Sequence, residues 1–238
     1  MIIVLSTSSK NLNIEVFPTV KYETHCELFG FPDADYNTDM MPIFHIVKLV
    51  ASLDTINDES EVTEEVEDIL KECYWIDEEE NQLVLAKMTM TEFPNSWREQ
   101  MEVTWSYWLD AIDGDHLVVG SRADEILDRD LYDNPFDNGS LYYIHDLDVH
   151  DSFKNNGIEI NLIRYTFSNF ILNYVGMVFF IAQKIDKDIE KDSTNKITRV
   201  VKDKEMLDIF ERGGFSRLFN SVVNDLVLEI EVHKLQDL

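Results

Sequence analysis

The sequence contains little cysteine, glycine or proline for its length. Its two cysteines, Cys26 and Cys73, have no CxxC partner, which argues against a disulfide-built framework. The first residues show none of the basic, apolar and small-residue pattern of a secretion signal, so we expect a cytoplasmic protein. The 8 glycines and 5 prolines form no Gly/Ser-rich or Pro-rich linker that would mark a domain boundary.

Long apolar runs are also absent. Residues 167–182 form the most apolar stretch, but Ser168, Asn169 and Asn173 interrupt it. It is also shorter than the ~20 residues that a spanning helix needs. The sequence therefore predicts no membrane segment.

Positive charge is the largest deficit. Only 20 Lys and Arg residues accompany 47 Asp and Glu residues, which gives a net charge of −27. Residues 1–151 hold 34 acidic and 8 basic side chains, whereas residues 152–238 hold 13 and 12. Because phosphate binding needs Lys and Arg, this composition argues against direct binding to nucleic acid.

The densest acidic stretch, residues 58–80, has 12 acidic side chains and a single basic one, Lys71. Two interpretations remain open. The stretch is either a solvated helix face followed by a loop, or part of a surface that attracts a basic partner, for instance by imitating the phosphate rows of DNA. Acid spread over the whole of residues 1–151 adds weight to the second interpretation, which predicts a basic protein or a polyamine-like substrate as the partner.

The remaining composition, 45% hydrophobic and 11% aromatic, is typical of a globular protein with a substantial core. Hydrophobic periodicity predicts helices over residues 37–53, 60–74, 96–112, 157–174 and 203–212. The same patterns predict strands over residues 1–6, 82–90, 116–120, 141–149, 177–183, 215–219 and 222–232. Alternation of strands and helices in the second half favours an α/β layer arrangement.

A glycine-containing turn follows the predicted strand 141–149. After Val149, Lys154 and Gly157 stand where the N-acetyltransferase (GNAT) superfamily has the R/Q and first glycine of its R/Q-x-x-G-x-G/A signature, at the start of a long helix. A buried strand over 177–183 and the segment F-E-R-G-G-F over 210–215 follow in the family's order. In these four pieces, which cover about a third of the chain, the sequence resembles the GNAT superfamily.

The resemblance implies a mixed α/β (α+β) fold with a mostly antiparallel, twisted sheet flanked by helices. We expect residues 82–238 to form this GNAT-like domain and residues 1–81 to form an acidic part with helix and strand packed on it; the alternative is that both parts form one domain. Acetyl-CoA is the implied cofactor, with its pyrophosphate at the helix N-terminus and its pantetheine arm along the strand. The implied cofactor-binding residues are Leu147, Val149, Lys154, Asn155, Asn156, Gly157, Ile158 and Glu159.

Two residues depart from the family's pattern. Glu159 stands at the second small position, where a carboxylate beside a pyrophosphate would be repulsive. Phe210 stands where the family has a proton-donating tyrosine, and it has no proton to donate. Both departures argue for impaired acetyl-CoA turnover.

Asp146 and Asp148 are the candidate catalytic bases. Alternation along a strand puts both on one face, with His145 on the other, so either could take a proton from an amine. The alternative is an ordinary polar strand face. His150 and Asp151 complete an acidic and histidine-rich group in sequence, but neighbouring strand positions point to opposite faces, so we predict no metal site.

Two functions therefore remain open. The first is a GNAT-like acyltransferase that moves an acetyl group from acetyl-CoA to an amine on a basic substrate. The second is a catalytically inactive, acidic protein that binds a basic, DNA-binding partner as a DNA mimic does.

Overall fold

A computed structural model describes residues 3–7, 12–26, 42–53, 64–77, 80–154, 156–185, 200–218, 221 and 226–236. Within it the chain separates into two compact units. The first unit comprises the described residues of Met1–Cys26, Ile43–Met90 and Asp146–Ile171. The second comprises those of Glu27–Pro42, Thr91–His145 and Leu172–Leu238. The boundary predicted after residue 81 falls inside the first unit.

The strands of the described residues belong to three sheets. Their bounds are β1 Ile3–Thr7, β2 Leu12–Val16, β3 Thr19–Cys26, β4 Ile43–Ser52, β5 Trp75–Asp77, β6 Gln82–Pro94, β7 Ser140–Val149, β8 Gly176–Ile181, β9 Gln183–Ile185, β10 Val200–Lys202 and β11 Val227–Glu231. β1 and β2 form one two-stranded sheet, and β9 and β10 form another. The main sheet has the strand order β11-β8-β7-β6-β4-β3, with β5 paired to β6.

The main sheet is mixed. β7 and β8 are parallel, in register from Ser140 opposite Gly176 to Ile144 opposite Phe180. The pairs β3/β4, β5/β6 and β8/β11 are antiparallel. The fold class predicted from the sequence, a mostly antiparallel sheet flanked by helices, is therefore confirmed.

Seven helices lie in the described part of the chain. Their bounds are α1 Glu64–Cys73, α2 Asn95–Met101, α3 Trp105–Asp110, α4 Gly114–Asp128, α5 Ile158–Asn169, α6 Lys204–Arg212 and α7 Val232–Gln236. None of them has the length and apolar character that crossing a membrane requires. The helix α5 provides the connection between the parallel strands β7 and β8, as a parallel pair needs.

The helix predicted over residues 37–53 is wrong in its described part, because Ile43–Ser52 forms the strand β4. Residues 37–41 lie outside the described residues. His45, Val47 and Leu49 are buried at alternate positions, and β4 pairs with β3 along eight residue positions, Thr19–Cys26. Long-range pairing therefore outweighs the helix-like spacing of the apolar residues.

The strand predicted over residues 116–120 is also wrong, because these residues lie inside α4. Asp113 caps this helix, and Val119 and Ala123, one turn apart, are both fully buried in the core of the second unit. A helical face rather than an alternating strand face thus buries the apolar run. The helix predicted over residues 96–112 is divided in two at Glu102, whose φ of 56° is left-handed.

The helices and strands predicted nearer the glycine turn agree better with the structure. The strand over 141–149 corresponds to β7, and the helix over 157–174 corresponds to α5 but ends earlier, at Asn169. The helix over 203–212 corresponds to α6, with Asp203 as its cap. In place of a strand over 215–219, the described residues show only a single bridge between Ser216 and Glu229.

Each unit has an apolar core of its own. In the second unit, aromatic and aliphatic side chains from β6 to β11 pack together, including Phe93, Trp105, Trp108, Leu141, Phe179 and Val227. In the first unit, the fully buried side chains of the sheet and of α5 include Val47, Leu83, Leu85, Met88, Ile163 and Phe167. Packing in these cores holds the strands in place. The candidate site is on the exposed ends and faces of these strands.

Candidate functional site

The last part of β7 presents two carboxylates to solvent. Asp146 and Asp148 are exposed, whereas Leu147 and Val149 are buried at 8% and 3% exposure. The alternation predicted for this strand is therefore observed. Leu147 and Val149, two of the residues predicted to hold a cofactor, turn their side chains into the protein, so only their backbone groups are suited to that role.

The two carboxylates have different surroundings. Asp146 Oδ2 accepts a hydrogen bond from the hydroxyl of Thr89 on β6 at 3.5 Å. Asp148 lines a pocket of about 390 Å³ in the first unit. The other lining residues are Lys48, Trp75, Ile76, Asp77, Val84 and Lys87.

The walls of this pocket carry charges of both signs. Lys48 Nζ donates to Asp77 Oδ2 at 2.7 Å, and both side chains are mostly buried. Lys87 and Asp148 are exposed, and neither forms an ion pair with another described residue. The indole of Trp75 is 44% exposed and adds an aromatic wall.

Contacts between β6 and β7 place Lys87 opposite Asp148. The His150 amide donates to the Leu85 carbonyl at 2.9 Å, and the Thr89 hydroxyl contacts Asp146. As residue numbers rise along β6 they fall along β7, so the two strands run in opposite directions. Lys87 and Asp148 occupy the positions midway between these contacts, and both line the pocket.

A tight turn links β7 to α5. Residues Asp151–Phe153 form one turn of 3-10 helix, and Gly157 precedes α5 with a φ of 77°. The left-handed φ favours glycine, and Gly157 has no side chain with which to cap the helix. The first intrahelical bond runs from the Asn161 amide to the Gly157 carbonyl at 3.0 Å. The first turn of a helix in this setting offers amide groups and a positive dipole end to an anion.

One cation stands beside this helix start. Lys154 Nζ contacts Asp151 Oδ1 at 2.6 Å, and both side chains are exposed. The hydrogen bond and positive charge of Lys154 hold the pKa of Asp151 below its usual value. An anion bound at the turn would compete with Asp151 for the Lys154 ammonium group.

Glu159 is the second residue of α5 and lies in the first turn of that helix. Its side chain is only 2% exposed, so the carboxylate is buried in the protein. Asn156 and Gly157 are exposed, and Ile158 is buried at 6% exposure. Asn155, also predicted to contact a cofactor, lies outside the described residues.

His150 holds the turn in place, a role that the sequence did not reveal. Its Nε2–H donates to the Cys73 carbonyl at 2.9 Å, and its Nδ1 accepts the Ser152 amide at 3.3 Å. These partners assign the neutral tautomer with the proton on Nε2. The ring also contacts Tyr74 and Trp75, with centroids 4.6 and 5.5 Å apart, which fixes the indole that lines the pocket.

A second cavity of about 500 Å³ lies along α5 in the first unit. It is lined by Pro18, Thr19, Val20, Leu49, Ile158, Asn161, Leu162 and Tyr165. Most of this wall is apolar, with Thr19, Asn161 and the half-exposed Tyr165 as the polar lining residues. Because Ile158 is the first residue of α5, the cavity begins at the helix end that favours anions.

Phe210 belongs to the core of the second unit. It is fully buried, stacks on Phe180 with centroids 4.0 Å apart, and meets the edge of Phe215 at 4.8 Å. Phe210, which lies one turn before the glycine pair Gly213–Gly214, therefore has a packing role in the core and no role in proton transfer. In the described part of the chain, no group of three or more His, Cys, Asp or Glu side chains is arranged to hold a metal ion.

No protein-family model matches the sequence, and no curated protein is significantly similar to it. Among solved structures, the fold is similar to Arabidopsis thaliana NAA60 in complex with acetyl-CoA, at 12% identity and a TM-score of 0.37, covering 89% of this chain and 98% of that one. It is also similar to the same enzyme in complex with a bisubstrate analogue, at 13% identity and a TM-score of 0.35, covering 89% and 97%.

The chain resembles the GNAT superfamily. The resemblance depends on the chain's own features. These are the parallel pair β7/β8, the helix α5 that connects it, and the glycine turn at the start of that helix.

Proposed function

We propose that this protein is a GNAT-like N-acyltransferase that takes an acetyl group from acetyl-CoA and passes it to an amine. The observation that carries this proposal is the position of Asp148. It lines a pocket on the exposed face of β7, nine residues before the Gly157 turn that begins α5. A candidate base and a candidate phosphate site therefore lie on one continuous stretch of the first unit.

The residues of the turn fit a pyrophosphate. Gly157 leaves the start of α5 open, and a Cβ placed there would meet no atom nearer than 3.9 Å. Lys154 supplies a cation that is exposed and can turn from Asp151 to a phosphate oxygen. The Glu159 carboxylate is buried, and the apolar cavity beside Ile158 gives room for other parts of the same molecule. When bound, acetyl-CoA supplies an acetyl group activated as a thioester.

Asp148 is the base in this proposal. An amine reaches the pocket as an ammonium ion at neutral pH, and the carboxylate first binds this cation and then accepts one of its protons. The hydroxyl contact of Asp146 with Thr89 makes that carboxylate the weaker candidate. Phe210 has no proton to donate, so the proposal gives the acid-base role in acetyl transfer to Asp148 alone. The net charge of −27 attracts cationic acceptors from a distance, which supports a basic substrate such as a polyamine or a lysine-bearing protein.

Calorimetric titration tests the cofactor half of the proposal. Acetyl-CoA and CoA should each bind saturably, and Lys154→Met should weaken both by about ten-fold through loss of a charge-assisted contact. Lys204→Met, which removes an exposed lysine of α6, is the matched control and should leave the affinity unchanged. If neither compound gives a heat of binding or thermal stabilisation, the proposal is wrong.

Steady-state kinetics test the base. Asp148→Asn should lower kcat about 10²- to 10⁴-fold while leaving CoA affinity within about two-fold. Asp137→Asn, an exposed carboxylate of the second unit, is the control. Equal activity of Asp148→Asn and the wild type would remove Asp148 from this role.

A second function, that of an inactive acidic protein that binds a basic partner, is supported by two observations. The residue at the position of the family's proton donor is a core phenylalanine, and the charge of the chain is strongly negative. Complexes of this kind weaken steeply with salt because charge pairing is screened over about 8–10 Å at working ionic strength. Pull-downs at low and high salt test it, and recovery of no basic protein at low salt would leave it without support.

A further inference from the structure

The pocket beside Asp148 has a charge arrangement that suits a particular class of ligand. Lys87 and Asp148 face each other across β6 and β7, and neither forms an ion pair with a described residue. Lys48 and Asp77 are already paired with one another at 2.7 Å. The pocket therefore offers one cation and one anion, close together, to whatever enters.

The rest of the wall is apolar. Ile76, Val84 and the indole of Trp75 line it, and the T-shaped contact of Trp75 with His150 at 5.5 Å fixes the indole plane. An exposed aromatic face that is held in place binds an apolar group at little cost in side-chain entropy. The volume of about 390 Å³ is in the range of small-molecule sites.

Charge complementarity selects among small ligands. A ligand that carries only an ammonium group would pair with Asp148 alone, and one that carries only a carboxylate group would pair with Lys87 alone. A ligand with one ammonium and one carboxylate group, joined by a short spacer, matches both side chains, neither of which has an ion-pair partner among the described residues. An apolar group attached to the same spacer would reach Trp75.

We propose that this pocket binds a free α-amino acid with an apolar side chain. Its carboxylate pairs with Lys87, its ammonium group pairs with Asp148, and its side chain packs on Trp75. The role of this ligand rests on the proposed function, because its amine would be the acceptor of the acetyl group. Binding of the ligand to the pocket needs no cofactor.

Calorimetry with L-leucine and two analogues tests the assignment. Leucinamide lacks the carboxylate and 4-methylpentanoate lacks the amine, so each should bind at least about ten-fold more weakly than leucine, the equivalent of one lost charged contact. Leucine should also change the fluorescence of the wild type, and Trp75→Phe should abolish that change, because Trp105 and Trp108 are buried and Trp97 packs against the core of the second unit.

Variants of the charged pair give the sharper result. Lys87→Met should weaken leucine binding about ten-fold or more but should not weaken leucinamide binding, whereas Asp148→Asn should weaken leucine binding but should not weaken 4-methylpentanoate binding. Lys204→Met is the matched control. Both variant positions are exposed, and thermal unfolding of each protein confirms that the fold is intact.

Several results would overturn the proposal. They are the absence of saturable binding by leucine and phenylalanine, equal binding of leucine and leucinamide, or wild-type affinity for leucine in both variants. Saturable CoA binding without leucine binding would reject the pocket assignment and leave the acyltransferase proposal standing. Leucine binding without CoA binding would reject the acyltransferase proposal and retain the amino-acid site.

Discussion

The carboxylate of Asp113 stands at the start of α4, where Oδ1 accepts the His116 amide at 2.9 Å. Nδ1 of the His116 ring lies 2.8 Å from the same oxygen. Partial burial alone raises the pKa of Asp113, but the hydrogen bonds from the amide and ring of His116 outweigh it and hold the pKa below its usual value. The folded protein therefore favours the ionised cap.

Removing this cap should destabilise the protein in a pH-dependent way. Asp113→Ala should lower the free energy of unfolding by about 1 kcal/mol at neutral pH, the usual cost of a lost helix cap. Asp113→Asn keeps a capping oxygen without the charge and should lose less. Urea unfolding of the three proteins at neutral pH measures both differences.

The sign of the pH dependence follows from the lowered pKa. Ionised Asp113 stabilises the fold above the unfolded-state pKa of about 4, and this contribution is lost as the pH falls through the lower folded-state value. Wild type and Asp113→Asn should therefore converge in stability on acidification. A difference that stays constant from pH 7 to about pH 3 would contradict this account.

Single residues of the site could be predicted only where local geometry decides their direction. Asp146 and Asp148 face solvent because alternation along a strand needs no knowledge of the rest of the fold. Lys48, Trp75 and Lys87 were missed as site residues, because pairing between strands far apart in sequence brings them to Asp148. Such pairing depends on register, which the sequence of one strand does not determine.

Among the secondary-structure elements, the parallel pair β7/β8 depends on a close contact at its first position. Gly176 has a φ of 141°, and a Cβ placed there would lie 2.4 Å from the Ser140 carbonyl oxygen on the neighbouring strand. Only glycine meets both conditions. The start of β8 therefore has no room for a side chain.

Gly176→Ala should destabilise the protein by more than about 2 kcal/mol, since it adds backbone strain and forces the two strands apart. Gly114→Ala is the matched control, because nothing lies within 4 Å of a Cβ at the first residue of α4. That control should be neutral or stabilising by up to about 1 kcal/mol. Equal unfolding free energies for the two variants in urea would rule out the close contact.

A buried charge network connects α4 to β11. Arg122 donates two hydrogen bonds to the Glu229 carboxylate, one from Nε at 2.6 Å, and a third from Nη1 to Glu125 at 3.0 Å. Arg122 and Glu229 are only 1% and 2% exposed. Tyr132 also donates to Glu229 at 3.0 Å, and burial, together with the charge of Glu229, raises the pKa of Tyr132 to about 12.

Arg122→Met should cost about 3–5 kcal/mol, because it leaves the Glu229 carboxylate buried without its cation. The double variant Arg122→Met/Glu229→Leu should recover much of that loss, since it replaces the pair by apolar groups of similar size. Guanidinium chloride unfolding measures both. If the double variant is as unstable as the single one, the pair contributes to packing in a way that apolar side chains cannot replace.

Elements with strong local signals could be predicted from the sequence, and elements held by distant contacts could not. Helix α6 has an aspartate cap and an apolar face, and its predicted bounds agree with the structure. The apolar residues of β4 have a spacing that is compatible with a helix or with a strand. Pairing with β3 determines that this segment forms a strand. Helix α4 carries the β-branched pair Val118 and Val119, and burial of one helical face outweighs their strand preference.

For the whole molecule, the charge of −27 is a destabilising term. Like charges repel more strongly in the compact state than in the unfolded chain, and salt screens this repulsion over about 10 Å at 0.1 M. Stability should therefore rise when salt is added. Part of the charge is already neutralised inside the protein, where Glu125 and Glu229 meet Arg122.

Urea unfolding in low and in about 0.5 M sodium chloride measures this effect, and the midpoint should shift to higher urea in the salt. An equal osmolality of an uncharged solute is the control, because it leaves the charge repulsion unscreened. A midpoint that falls in sodium chloride would mean that attractive ion pairs outweigh the net repulsion.

His150 makes the end of α1 sensitive to the turn that begins α5. The Cys73 carbonyl, at the last residue of α1, and the Ser152 amide, in the turn, bond to opposite nitrogens of the same ring. Steadying the turn, as an anion at Gly157 would, also steadies this ring and the last turn of α1. The amide of Tyr74, bonded to the Leu70 carbonyl at 2.9 Å, should then exchange its hydrogen for deuterium more slowly, which provides a remote signal of occupancy without any label at the site.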